Sequence, residues 1–299
     1  MRKRIAAVLT LMFCILPVIA ACGGGSSDVV RIGTQTYTEV KILAEMYKAL
    51  IEANTDLSVE ITQDLASSPV VVKAMQNDEI DLATLYTGEV FNNYFEFEPT
   101  HDRRAVYEIA RDGFDEHLNM TWLEPFGFEN TYAFTVRADV AESGGYETVS
   151  DLARDAANMR LGVDTTWLER TDIGYKPFIE HYGFEFGQTF PMEIGLVYEA
   201  VANNEVDVVL AYSSDPRIME FNLKTLADDK QFFPPYDAAA VARNELFETH
   251  PEVKEAISVL SGNISLDEIV ALNYEVDVEK RSESEVAVEF LKNKGLLKE

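Results

Sequence analysis

Residues 194–215 read IGLVYEAVANNEVDVVLAYSSD. An amphipathic helical run leads to a break at Asn203-Asn204, and a strand segment, Val206 to Tyr212, apolar but for Asp207, follows. A short, predominantly apolar strand after a helix is the signature of a sheet covered on both faces. The same grammar recurs outward from this unit. VVRIGT, LSVEIT, IDLATLY, NTYAFTVR and LGVD read as strands. Between them, residues 39–53 place Val40, Leu43, Met46, Tyr47, Leu50 and Ile51 on one helical face. SSPVVVKAM opens a helix with Ser68 as predicted N-cap and Pro69 in the first turn, and Ser150 is the predicted cap in TVSDLARDA. Residues 251–260, 266–272 and 284–294 are helical in period. Strands alternating with helices predict an α/β protein with largely parallel sheets, and no repeat stands out.

Two extended crossings divide this pattern, one near residues 126–131 and one in FFPPYDAAAV, residues 232–241. Pro234 and Pro235 fix two φ angles and remove two donors, so this second crossing is stiff and belongs neither mid-helix nor mid-sheet. The expected organisation is two α/β lobes: residues 29–129 with 234–299, and residues 130–233. Ligands of such sheets bind beyond the carboxyl ends of strands. Tyr86, Tyr132, Tyr212 and Tyr236 all stand at loop–strand junctions of this kind. One such tyrosine is ordinarily packing. Four around one cleft would form a box of negative ring faces, suited to a quaternary ammonium that has no N–H to donate. Each ring contributes roughly 0.5–2 kcal/mol.

The ends and the composition narrow the function classes. MRKR followed by the apolar residues 5–21 reads as a secretory signal peptide, 1–21, rather than a membrane span. It ends in Ile19-Ala20-Ala21-Cys22, which resembles a bacterial lipobox; that resemblance implies cleavage before Cys22 and a diacylglycerol on its thiol. GGGSSD, residues 23–28, is then a flexible tether. Cys14 lies in the removed segment, so disulfides and cysteine metal sites are excluded. Without Arg2, Lys3 and Arg4 the 25 basic residues become 22, against 52 acidic, a balance of −30. That excludes nucleic acid as partner. Four histidines, His101, His117, His181 and His250, show no metal-ligand spacing, and no G-x-S-x-G elbow occurs. No enzyme, metal or cofactor is therefore expected. A polyamine binder would need several acidic residues in the cleft, where a quaternary-amine binder needs aromatics.

The motifs DLASSPVVVKAMQNDEID, YTG, GFENTYAF, RLGVD, WLERTDIGY, PMEIGLVYEA, LAYSSDPRI, DDKQFFPPYDAAAVA and LNYEVDVE span nearly the whole chain after residue 28. Together they resemble the glycine betaine/carnitine/choline-binding lipoproteins of bacterial osmoprotectant ABC importers. The resemblance implies a two-lobed, periplasmic-binding-protein-like type II fold with two hinge crossings. It implies an extracytoplasmic protein anchored to the membrane through Cys22, which delivers a quaternary ammonium solute to an ABC permease with a cytoplasmic ATPase. The family's ammonium box falls on Tyr86, Tyr132, Tyr212 and Tyr236. Its polar-end contacts fall on Gln35, which could meet a hydroxyl or a carboxylate, and on Arg170, a carboxylate clamp or else the partner of Asp172 or Glu169. Asn130 lies at the cleft edge, binding ligand or capping its own loop. Two departures bear on selectivity. Glu89 stands where many relatives have threonine: facing the site it favours a hydroxyl-bearing ligand, facing outward it merely helps begin a helix. Pro69 replaces a side chain that could hydrogen-bond.

Overall fold

The computed structural model describes residues 29–171 and 173–297. The expected signal peptide, Cys22 and the tether lie outside the described residues. In chain order the strands are β1 (Val29–Gly33), β2 (Ser58–Thr62), β3 (Leu82–Tyr86), β4 (Met120–Trp122), β5 (Tyr132–Arg137), β6 (Arg160–Asp164), β7 (Gln188–Met192), β8 (Val208–Tyr212), β9 (Leu223–Thr225) and β10 (Ala238–Arg243). They form two five-stranded sheets, ordered β2-β1-β3-β10-β4 and β7-β6-β8-β5-β9.

The sheets are mixed rather than largely parallel. In the first, β1 pairs in parallel with β2 and β3, but β10 runs antiparallel to β3 and β4. In the second, β6 pairs in parallel with β7 and β8, but β5 runs antiparallel to β8 and β9. The reason is topological. β5 and β10 are the strands entered from the two crossings, so each comes into its sheet from the cleft side, against the direction of the helix-connected strands.

The run Ala238-Ala239-Ala240-Val241-Ala242 is wholly buried because it lies inside a sheet covered on both faces. Ala238, Ala240 and Ala242 face the helices Thr38–Asn54, Pro251–Ser258, Leu266–Asp277 and Glu283–Asn293. Ala239 and Val241 face Val71, Met75 and Phe114 of the helices Ser68–Gln76 and Arg103–Leu118. Small side chains let helices approach both faces at once. In β8 the same two-residue period sends Val208 and Leu210 to a core built on Trp167 and Phe178, and Val209 and Ala211 to one built on Tyr198 and Val201.

The two sheets carry a shared motif. Asn77-Asp78-Glu79-Ile80-Asp81, ending in Tyr86 five residues on, matches Asn203-Asn204-Glu205-Val206-Asp207, ending in Tyr212. Asp78 and Asn204 both sit in the left-handed region at φ 60°. Asp81 accepts from the Arg31 backbone N–H and Nε, each at 2.9 Å; Asp207 accepts from the Arg160 backbone N–H at 2.8 Å and Nε at 2.9 Å. The absence of a repeat expected from the sequence is thereby corrected. Tyr86 and Tyr212 are equivalent positions of one duplicated unit.

Cap positions also shift. Ser67, not Ser68, is the residue before the helix Ser68–Gln76, and Thr148 with Asp151 forms the capping box where Ser150 was expected.

Candidate functional site: a tyrosine-lined cleft between the sheets

The crossings run side by side. Glu129 and Asp237 form an antiparallel bridge, the Asn130 N–H donates to Tyr236 O at 3.0 Å, and the Thr87 N–H donates to Asp237 O at 2.9 Å. The Thr87 hydroxyl donates to Pro235 O at 3.2 Å and accepts from the Asp237 N–H at 3.0 Å. Tyr86-Thr87-Gly88 therefore clamps the stiff FFPPY segment to the end of β3. Gly88 has a steric role: a Cβ there would fall 2.3 Å from the Tyr236 ring. Only a residue without a side chain lets that ring lie against the turn.

A cavity of about 450 Å³ opens at this junction, with Tyr86, Tyr212 and Tyr236 in its wall. A smaller one of about 190 Å³ adjoins it, sharing Tyr212, Tyr236 and Asn130 and adding Tyr132 and Arg170. The four predicted tyrosines thus converge, though Tyr132 faces the smaller space. Tyr132 and Tyr212 are register partners across β5 and β8, and their rings stack at 5.3 Å and 23°. Burial, and secondarily Tyr212, raises the Tyr132 hydroxyl above its ordinary value. Tyr212 is 37% exposed, which suits a ring that meets a ligand rather than a core.

Glu89 lines the larger cavity and is 4% exposed, so the inward of its two readings is the observed one. Burial raises its carboxyl above the usual range, partly offset by hydrogen bonds from Ser68 and Asn92, the latter at 2.7 Å. Gln35 is fully buried. Its Nε2 donates to Ser68 Oγ at 3.2 Å and Thr84 O at 3.4 Å, which places it behind the wall as a support for Ser68. Asn130 reaches the wall, and its Nδ2 donates to Glu39 Oε1 at 2.8 Å.

Among the wall residues not expected from the sequence, Tyr37, Glu39 and Asn273 make the contacts that shape it. Tyr37 stacks obliquely on Tyr86 at 6.4 Å and is 40% exposed. Glu39 accepts from the Tyr86 hydroxyl, and burial with Glu39 nearby raises that phenol well above its ordinary value. Asn273, from the helix Leu266–Asp277, donates to Ser214 O at 3.0 Å and so joins the two sheets' elements across the cleft. The strand-end rule did point to the loop after β1, which holds Tyr37 and leads to Glu39. Asn273 had no local signal, because its contact lies 59 residues away in sequence.

The histidines hold structural contacts. His101 and His181 each bond a backbone carbonyl at 2.9 Å, His117 stacks on Phe95, and His250 meets Glu252. Among the described residues no His, Cys, Asp and Glu cluster could hold a metal ion, and no helix is long and apolar enough to cross a membrane.

Residues 28–293 match the family model of the substrate-binding domain of the ABC-type glycine betaine transport system. The chain belongs to this family. It is 44% identical over 284 residues to the carnitine transport binding protein OpuCC of Listeria monocytogenes, covering 95% of this chain and 91% of that one. It is 32% identical over 288 residues to a glycine-betaine-binding protein of Pseudomonas aeruginosa, covering 93% and 91%. The crystal structure of a glycine betaine/carnitine/choline ABC transporter protein superposes with TM-score 0.86 at 39% identity, covering 89% of this chain and 99% of that one. The protein is thus a substrate-binding component of an ABC transport system with the two-lobed type II fold. Its family is one of transport proteins, not of enzymes.

Proposed function

We propose that this substrate-binding protein captures a quaternary ammonium solute in the tyrosine cleft and delivers it to an ABC permease. The carrying observation is the wall of the larger cavity: three of the four cage tyrosines share it with Glu39, Glu89 and Asp277, while Asp215, also in the wall, is paired with Arg217 behind it at 2.5 Å, and no Lys, Arg or His stands among the lining residues themselves. Ring faces and carboxylates together select a cation. The hydroxyl of a choline-type ligand can donate to such a wall, whereas a carboxylate would be repelled by it.

A second reading has its own support. The adjoining cavity presents Arg170 beside Tyr132. A longer zwitterion of the carnitine type could place its ammonium among the tyrosines and its carboxylate toward that guanidinium.

The lobes in this reading are residues 29–129 with 234–299 and residues 130–233, hinged where Glu129 and Asp237 pair. Ligand contacts shared between lobes stabilise the closed form, which docks on the permease. Cys22, lipidated after removal of residues 1–21, holds the protein at the outer face of the cytoplasmic membrane.

Calorimetric titration with choline, carnitine, glycine betaine and a polyamine tests the proposal. Micromolar binding of at least one quaternary compound is expected, with choline first if the acidic wall dominates and carnitine first if Arg170 does. Tyr212→Ala should lose at least about 1 kcal/mol of binding while the melting temperature holds. Binding of the polyamine alone, or no binding tighter than millimolar, would sink the reading.

A further inference from the structure

Glu39 sits in the second residue of the helix Thr38–Asn54 and is 2% exposed. Its Oε1 accepts from the Tyr86 hydroxyl and from Asn130 Nδ2. Its Oε2 is buried and accepts no hydrogen bond, although the residue lines the larger cavity. Asn130 Oδ1 is orphaned in the same way.

A purely structural carboxylate is a poor fit to this arrangement. One neutral amide oxygen would satisfy both donors, whereas a charge with one buried, unbonded oxygen is unfavourable unless a positive charge comes near it. No basic side chain stands in the cavity wall to supply one. The helix start lends some support to a negative charge, but a second-position helix carboxylate needs no burial for that.

We propose that Glu39 is the charge-selecting residue of the cage, its charge acting on the bound cation from just behind the wall surface while Oε1 fixes the Tyr86 ring against it. This rests on the quaternary ammonium reading above and deepens it. The tyrosine faces alone would grade ligands by shape and polarisability; Glu39 adds a fixed charge that favours a monocation over its uncharged carbon analogue. Through Asn130, on the first crossing, the same carboxylate ties the cage floor to the hinge.

The test compares choline with 3,3-dimethylbutan-1-ol, in which a quaternary carbon replaces the nitrogen. Wild type, Glu39→Gln and Glu39→Asp are titrated with both, using the whole soluble chain, and each variant's melting temperature is recorded. Glu39→Gln keeps the acceptor for Tyr86 and Asn130, so the fold and the affinity for the alcohol should hold. Choline affinity should fall about tenfold, and the selectivity ratio with it. Glu39→Asp, which withdraws the charge by one methylene, should lower the ratio by less, about threefold, and serves if the Gln variant does not fold. A ratio unchanged in either variant, or both ligands weakening together, overturns the role of Glu39 while leaving the cage intact. Failure of wild type to bind any quaternary ammonium overturns the cage reading itself, and this inference with it.

Discussion

Glu89 and Arg170 show how far a single position carries the question of which solute is bound. Glu89 is buried in the cavity wall, and burial raises its carboxyl above the ordinary value of 4.5. The folded state therefore keeps the Glu89 proton to higher pH than the unfolded chain does. Between the two values the native state binds more protons, so stability falls as pH rises through that window and recovers on acidification. Cation binding has the opposite sign, because only ionised Glu89 attracts the ligand. Choline affinity should rise as pH climbs from 4.5 through the raised folded value. Titrations at stepped pH on wild type and Glu89→Gln check this: the variant's profile should be flatter and its glycine betaine affinity relatively higher. Equal slopes would remove Glu89 from the selectivity argument. Arg170 stands beside Tyr132 and borders the smaller cavity, a position compatible with either a carboxylate clamp or an ion-pair partner. Asp172, one of its two expected partners, lies outside the described residues.

At the scale of elements, the turn after β3 and the stiff second crossing work as one unit. Thr87 pins Pro235 and Asp237, and Gly88 gives the Tyr236 ring its seat. Gly88→Ala introduces a methyl 2.3 Å from that ring, so the tyrosine must swing away. The expected result is at least about a tenfold loss of ligand affinity, the equivalent of one cation–π contact. The loss of stability should be smaller, since the ring stands at an open cleft. Chemical unfolding beside ligand titration separates the two; equal affinity in the variant would mean that Tyr236 does not meet ligand. The duplicated Asn-x-Glu-Ile/Val-Asp unit explains why Tyr86 and Tyr212 sit at matching heights in their sheets. Its ten-residue pattern was present in the sequence, but the differing flanks, Thr-Gly after one and Ser-Ser after the other, hid the match.

For the whole molecule, the bond between the crossings matters most. Arg103 pairs with Asp237 through Nε at 2.8 Å and with Glu129 at 3.7 Å, so one guanidinium bridges both crossings. Asp237 is nearly buried, while Arg103 is over half exposed. Arg103→Ala would leave Asp237 unpaired; after discounting for the exposed arginine, a loss of about 1–2 kcal/mol is expected. The melting temperature of the alanine variant should fall, and Arg103→Lys, which keeps the charge but not the fork, should recover only part of the loss. Unchanged melting in both variants would remove the bridge from the stability of the hinge. A shift of ligand affinity in the alanine variant would show that the bridge also sets how the lobes close.

The sequence by itself determined the local grammar: helical and strand periods, the two breaks in the pattern, the acidic balance and the tyrosines at strand ends. Those signals are short-range, and each survives because burial of a face imposes a period of 2 or 3.6 on a single segment. The tertiary structure alone decided what depends on partners far along the chain. It made β5 and β10 antiparallel, because a strand entering from a crossing meets its neighbours head-on. It turned Glu89 inward, moved Gln35 behind the wall, and brought Glu39 to Tyr86 across 47 residues. A carboxylate reads the same in sequence whether it faces water or a ring. Which of the two it meets is fixed by packing between segments, and in this protein that packing is what turns a tyrosine-rich α/β chain into one with a tyrosine- and carboxylate-lined cleft.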